Sequence, residues 1–418
     1  MVKDILYSIY KNLKKYYKYK LYCKNYANIL HNIRNKKVVR VVFFVIDVSM
    51  WKNTDLFRLM LNDSSFDPII VSYLYPDDPI EYRRKIQQEM KLYFDSLNFP
   101  FLECYDFINN RWLDIQSLNP DIIFYAQPYN VGYVGYKLEN FWNKCLFAYI
   151  PYCLPMENES VLYSGLYQNI CWKSYCSTIY NRIYESRLLF NKGMNMIVSG
   201  HPLFDNLDKI EPNYSIWKIS DKKIKRIIWA PHHTILDSDV LHYSTFMGIA
   251  EKMLKIAKQY QGKIQFAFKP HPRLKPKLYA HKDWGQTKTD WYYDQWNLMP
   301  NTILSEGEYD TLFVSSDAMI HDSSSFTCEY LYTGKPVMFL SKYPKKHLRV
   351  LNDLGKACFK LHYIGNSMDD IVNFIENVKS ANDPMFDKRK SFISNVLKQN
   401  NGVTSAEFIY NDMKKSLL

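Results

Sequence analysis

Residues 316–341 read SDAMIHDSSSFTCEYLYTGKPVMFLS, and this stretch decides the fold. A short apolar run, AMIH at 318–321, gives way to the polar Asp322, Ser323, Ser324 and Ser325. A helical stretch follows at 326–333, and then a second apolar run, VMFLS at 337–341. Strand, helix and strand in that order are the unit of a parallel sheet covered on both faces. The same rhythm extends upstream through RIIWA at 226–230, a helix over 245–260, and IQFAF at 264–268, beginning with MIVS at 196–199. Residues 196–418 are therefore expected to form one doubly wound Rossmann-like domain.

Nearer the start of the chain, VVRVVFFVI at 38–46, PIIVSYL at 68–74 and PDIIFYA at 120–126 repeat the β-branched and aromatic character of buried strands. They predict a first Rossmann-like α/β domain over residues 38–195, with a short hinge near Gly200. A chain of 418 residues, 47% hydrophobic, has material for both cores. The eight cysteines contain no C-x-x-C pair and predict neither a zinc site nor a disulfide framework, but small buried side chains in a reducing compartment. Residues 1–40 show no uninterrupted apolar segment of a signal peptide, and the apolar run at 38–51 is too short to cross a membrane.

Charge is concentrated at one end. The net charge is +12, and residues 1–40 supply eleven lysines and arginines against Asp4 alone. A nucleic-acid binder would carry its basic stripe on the folded body, so the asymmetry argues against that class and for one cationic arm at 1–37. Within it Leu6, Ile9, Leu13 and Tyr17 recur at helical spacing, with tyrosines interleaved among lysines. Two readings remain open: a helix lying in an anionic headgroup layer, or a helix docked on the body with a solvated basic face. Residues 281–301, rich in tryptophan and tyrosine, likewise read either as an acceptor-binding lip or as a helix pair packed over the sheet edge.

Three polar clusters follow three strands of the second domain, and such sheets bind ligands beyond the carboxyl ends of their strands. They are Trp229-Ala-Pro-His232-His233-Thr234, Lys269-Pro-His271-Pro-Arg273, and Asp322 with Ser323, Ser324 and Ser325, followed by Glu329. Hydroxyls and backbone N–H groups at a helix start suit a pyrophosphate. Lys269, His271 and Arg273 can offset charge on a leaving phosphate, so no metal or other cofactor is expected. Asp237-Ser238-Asp239 reads as a surface turn. The alternative for the serines is helix capping, and for Glu329 a solvated carboxylate instead of a ribose contact.

Residues 316–336 resemble the signature of the CDP-glycerol glycerophosphotransferases, the teichoic-acid primases and polymerases. The resemblance continues in Lys269 to Pro272, similar to that family's basic His-Pro motif, in WAPHHT, and in Gly200-His201-Pro202 with Asp205. It implies a GT-B architecture, with two Rossmann-like domains facing a cleft and the donor held by the second. It also implies His271 and Arg273 on the donor phosphates, Asp322, Ser324 and Ser325 around the pyrophosphate, and Glu329 near the cytidine ribose. The family's His-Gly-Thr motif has no counterpart here. The matching turn at 149–154 puts Tyr152 and Cys153 where an acceptor-activating base would stand, with His201 on the same side. The expected activity is transfer of glycerol phosphate, or a related polyol phosphate, from a CDP-linked donor to a hydroxyl of a cell-surface glycan, teichoic-acid or capsule precursor, releasing CMP. The expected place is the inner face of the cell membrane. A sugar-transferring GT-B enzyme and an inactive membrane-associated scaffold are the alternatives.

Overall fold

The computed structural model describes residues 2–417 except 126, 128, 130, 131, 159–162, 222, 237, 238, 240–242, 308 and 399–401, and gives backbone alone for 2–5, 8 and 9. Asp237 and Ser238 of the expected surface turn, and the side chain of Ile9, thus lie outside the described residues. The chain forms two compact units. One comprises Met1–Cys153, Glu159–Pro202 and Gln399–Leu418, and the other Leu154–Asn158 and Leu203–Lys398.

Unit one is built on seven strands: β1 (Val39–Val45), β2 (Phe66–Ser72), β3 (Phe101–Leu102), β4 (Ile122–Phe124), β5 (Leu146–Tyr149), β6 (Lys173–Cys176) and β7 (Met196–Val198). Their order is β3-β2-β1-β4-β5-β6-β7, and every pairing is parallel. Val41, Val42, Phe43 and Phe44 are all buried, as expected where both faces are covered. Two expected boundaries shift. Met196–Val198 does not open the second series but closes the first, pairing with β6 from Ser174↔Met196 to Cys176↔Val198. The last helix, Ser405–Leu417, returns to unit one, where Ala406, Ile409, Met413 and Leu417 join the core and the Tyr410 hydroxyl donates to Asp63 at 2.6 Å.

The cationic arm is a single helix, α1 (Val2–Arg34), whose two halves behave differently. Tyr22, Ile29 and Ile33 are buried in the unit-one core, whereas Leu6, Tyr7, Tyr10, Leu13 and Tyr17 are each at least 60% exposed. Docking therefore accounts for the second half, held also by Lys18 on Glu139 at 2.6 Å and by Tyr16 and Tyr19 against Phe190. No described helix is long and apolar enough to cross a membrane.

Unit two carries β8 (Lys225–Ala230), β9 (Ile264–Phe268), β10 (Thr302–Leu304), β11 (Ala318–His321), β12 (Val337–Leu340) and β13 (Tyr363–Gly365), all parallel in the order β10-β9-β8-β11-β12-β13. The order reverses direction between β8 and β11, which is where such a sheet opens a crevice. Register sets the neighbouring strand ends level, with Trp229 opposite Phe268 and Ala230 opposite His321. Helix α2 (Phe246–Gln259) and helix α3 (Met368–Lys379) cover the sheet, burying Phe246, Ala250, Met253, Ile371 and Ile375. Residues 281–301 prove to be part of a helix pair, Leu274–Ala280 and Gly285–Leu298. Trp284, Tyr292, Tyr293 and Trp296 are buried there against the sheet, and of the five aromatics only Trp291 is exposed. Six of the eight thiols are buried, as expected of small apolar side chains. Cys23 is exposed and Cys153 partly so.

Candidate functional site

The loop after β8 is organised by Thr234. Its hydroxyl accepts N–H bonds from Tyr243 at 3.0 Å and Ser244 at 3.2 Å, so its own proton is left for His232 Nδ1, 3.0 Å away. Asp322, reaching over from the end of β11, accepts from the His232 N–H at 2.5 Å, the Thr245 N–H at 2.6 Å and the Thr245 hydroxyl at 2.8 Å. Thr234 and Asp322, expected at the donor, are engaged here by the protein's own donors. Asp322 is 1% exposed, its oxygens are occupied by protein donors, and a carboxylate would repel a diphosphate. Both residues hold loops in place. Burial lifts Asp322 to about 6 against the pull of those same hydrogen bonds.

After β9 the backbone continues the ladder for one more pair. Lys269 N–H donates to Trp229 O at 2.9 Å and His271 N–H to Pro231 O at 3.1 Å, which draws the two loops together. The His271 ring accepts the Arg273 N–H at Nδ1, 3.1 Å away. The result is a cluster of three imidazoles, with ring centroids 4.3 Å apart for His232 and His233, 4.3 Å for His233 and His271, and 5.1 Å for His232 and His271. Burial lowers all three, His232 to about 3 and His233 to about 4, and each is depressed further by cationic neighbours. One ring nitrogen from each lies within 4.8 Å of the others, spacing at which they could hold a metal ion, a possibility the sequence pattern does not announce.

The basic residues divide. Arg273 is exposed at the end of its loop, whereas Lys269 is 5% exposed and donates to Gly307 O at 2.7 Å, tying the β9 loop to the one after β10. Lys269 thus braces the loops beneath the surface with one of its three N–H donors. The helix after the serines is short, Phe326–Glu329, and Ser325 makes no side-chain capping bond, so capping does not explain these hydroxyls. Ser323 and Ser325 approach each other at 3.2 Å, while Ser324 donates to the Glu157 carboxylate. Glu329 is 2% exposed and accepts from the Tyr309 hydroxyl at 2.8 Å.

Glu157 and Tyr243 were not foreseen. Glu157 lies in Leu154–Asn158, a segment of unit two that bridges to Leu351, and it also accepts from Tyr243 OH at 3.3 Å. Its partner Ser324 is 167 positions away, a separation no spacing rule covers. A separate cavity of about 200 Å³ lies at the ends of β12 and β13, bordered by Lys252, Ser341, Lys342 and Ser367. It contains none of the residues singled out in the sequence.

The family model for the CDP-glycerol:poly(glycerophosphate) glycerophosphotransferases matches residues 171–414, more than half of the chain. The chain belongs to that family. It is accordingly a transferase of the CDP-glycerol glycerophosphotransferase type. Among solved structures it is similar to the wall teichoic acid polymerase TagF, at 12% identity over 97% of this chain and 98% of that one, with a TM-score of 0.58. It is also similar to S. aureus MnaA in complex with UDP, at 12% over 91% and 97% with a TM-score of 0.56. A third likeness is the UDP-GlcNAc 2-epimerase of Neisseria meningitidis bound to UDP-GlcNAc, at 12% over 91% and 99% with a TM-score of 0.53. At that identity the likeness establishes the GT-B fold. No curated protein sequence matches the chain.

In this glycerophosphotransferase the turn after β5 is unlike a base site. Cys153 and burial push the Tyr152 phenol far above its ordinary value, so it stays protonated and cannot accept a proton at neutral pH. His201 is fully buried, and its Nε2–H donates to Pro151 O at 2.8 Å. Burial lowers it to about 4, and Lys52, itself 5% exposed, lowers it further. The expectation that His201 faces an acceptor is therefore corrected: its ring fixes the turn. The preceding Gly200 has φ of +74°, a conformation glycine adopts without steric cost.

Proposed function

We propose that this enzyme transfers glycerol phosphate, or a closely related polyol phosphate, from its CDP-linked donor to a hydroxyl of a teichoic-acid, glycan or capsule precursor, releasing CMP. The observation that carries the reading is that the loop of His271 and Arg273 after β9 and the loop of Ser323–Ser325 after β11 are both hydrogen-bonded to the β8 loop beside the switch point of the unit-two sheet, through His271 to Pro231 and Asp322 to His232. Those groups can offer N–H, guanidinium and O–H donors to a diphosphate, and Glu329, on the helix that follows the serines, is the proposed ribose contact once its bond to Tyr309 is released. The acceptor oxygen would attack the glycerol-bearing phosphorus in line with the departing CMP, and catalysis would rest on positioning and charge stabilisation. No cofactor enters the reading. The TagF and epimerase likenesses support the fold in which such donors are held. Incubation with CDP-glycerol, CDP-ribitol and UDP-sugars, followed by mass spectrometry of the acceptor, tests it. A gain of phosphorus with release of CMP is expected, and a gain of sugar alone with release of UDP would replace it with the sugar-transferring reading.

The exposed half of α1 supports attachment to the inner face of the membrane, because Leu6, Tyr10, Leu13 and Tyr17 stand beside exposed lysines. Each lysine near an anionic surface contributes about 1 kcal/mol. Since Tyr22, Ile29 and Ile33 belong to the core, the test is substitution and not deletion. Changing Lys11, Lys14, Lys20 and Lys24 together to glutamine should abolish sedimentation with phosphatidylserine vesicles and leave turnover on a soluble acceptor intact. Unchanged sedimentation would assign the helix to docking alone.

A further inference from the structure

Three imidazoles this close invite a metal ion, but the hydrogen bonds on their rings argue for an anion. A neutral imidazole has one N–H and one lone pair, and a metal needs the lone pair. On His271 the lone pair is at Nδ1, where it accepts the Arg273 N–H, so the proton sits on Nε2. On His232 the Thr234 hydroxyl, both of its acceptor positions taken by Tyr243 and Ser244, donates to Nδ1, which again puts the ring proton on Nε2. Two of the three rings thus present N–H groups. His233 has a buried Nδ1 with no hydrogen-bond partner, so it is held by packing and free to choose its tautomer or to gain a proton.

The surroundings show why the cluster is uncharged before a ligand arrives. Lys269 and Arg273 face it from its own β9 loop, and Lys277 from the following helix, where it is paired with Asp239 of the β8 loop. Tyr243 lies edge-on to His232 at 5.6 Å, with its hydroxyl on Glu157, and Asp322 grips the His232 backbone. Cations and burial together disfavour imidazolium. A dianionic diphosphate entering beside the rings would reverse that balance, because opposite charge at contact distance favours the protonated form.

We propose that binding of the donor diphosphate is coupled to uptake of one proton by the His232, His233 and His271 cluster, and that this proton passes to the oxygen that leaves with the nucleotide. This deepens the CDP-donor reading and rests on it. The bookkeeping closes without a co-reactant. The acceptor oxygen forms a bond to the glycerol-bearing phosphorus as the bridging P–O bond breaks. The electron pair of that bond stays on the bridging oxygen, which takes the cluster's proton and departs as CMP monoanion. The acceptor hydroxyl's proton goes to solvent, and the cluster returns to its neutral form.

Calorimetric titration of the full-length protein with CDP-glycerol, in buffers of different ionisation enthalpy at pH 7.5, counts the protons directly, since neither diphosphate oxygen of that ligand titrates near neutrality. About one proton should be taken up per donor bound, and Kd in the wild-type protein should rise by up to about tenfold per pH unit above neutrality. His232→Gln and His233→Gln keep a side-chain N–H but cannot titrate. Each should cut the uptake, and the double variant should bring it below about 0.3 proton while thermal melting verifies folding. Buffer-independent heats, or an uptake lost only in Asp322→Asn, would overturn the proposal while leaving the donor reading standing. Tight cobalt(II) binding with tetrahedral absorption bands would overturn it in favour of a metal site. If CDP-glycerol does not bind at any pH, the donor reading itself falls and the proposal with it.

Discussion

The two sheets run in the same order, outward on both sides from their first strand, yet the loops at their carboxyl ends are chemically different. In unit two those loops hold hydrogen-bonded polar residues, with three imidazoles, an exposed guanidinium and serine hydroxyls at or near the surface. In unit one they are filled by aromatic packing: Phe44 against Tyr73, Tyr125 and Tyr136, with the cavity at that end only about 20 Å³. The topology supplies a place for a ligand in both. Among the described residues, the unit-two loops gather imidazoles, a guanidinium and hydroxyls that can donate to an anion, whereas the same end of unit one is dominated by aromatic rings, and a likeness of fold therefore cannot by itself assign a site.

The largest effects are expected on the donor side. His271→Ala and Arg273→Ala should each reduce kcat by about 10² with unchanged melting temperature, because charge on the leaving phosphate grows in the transition state. Near-normal turnover in either variant would remove that residue from the site.

A stability experiment probes unit one, whose Glu185 shows how apolar its interior is. Burial raises this carboxyl to about 8, so the folded protein retains a proton that the unfolded chain gives up above about 4.5. The associated stability is full below that lower value and is lost as pH climbs towards 8. Glu185→Gln should therefore leave the melting temperature at pH 4.5 nearly unchanged and stabilise the protein at pH 8 by on the order of 2 kcal/mol. Equal effects at both pH values would show that the carboxyl is solvated.

Smaller changes sharpen the contrast. Ser324→Ala with Ser325→Ala should raise the donor KM by about tenfold and leave kcat within about threefold, since hydroxyl contacts exist already in the ground state. An unaltered KM would leave Ser324 to Glu157 and Ser325 to Ser323, with no part in donor binding. Tyr152→Phe and Cys153→Ala should change kcat by less than about threefold, because a phenol that stays protonated offers no base. A loss near 10² with a shifted pH profile would restore Tyr152 or Cys153 to the acceptor chemistry.

What could be read from the chain alone followed from burial. Strands covered on both faces appear as continuous apolar runs such as RIIWA and IQFAF, and the polar clusters after them were visible because strand ends are abrupt. The three-residue strand Met196–Val198 was assigned to the wrong sheet, since an edge strand that short carries no mark of its partner. The return of Ser405–Leu417 to unit one, and the burial of Tyr22, Ile29 and Ile33 within a helix read as one basic arm, depend on contacts across hundreds of residues. For the same reason the protein partners of Asp322, Thr234 and Lys269, which the sequence named as ligand contacts, were hidden from it.

If the donor is held by the unit-two loops, its affinity depends on their side chains and not on the turn after β5. The most direct test is the Kd of CDP-glycerol measured by calorimetry on three proteins: wild type, the His271→Ala and Arg273→Ala double variant, and Tyr152→Phe. The double variant should bind at least about 30-fold more weakly, and Tyr152→Phe should match wild type. Full affinity in the double variant, or a comparable loss in Tyr152→Phe, would contradict it.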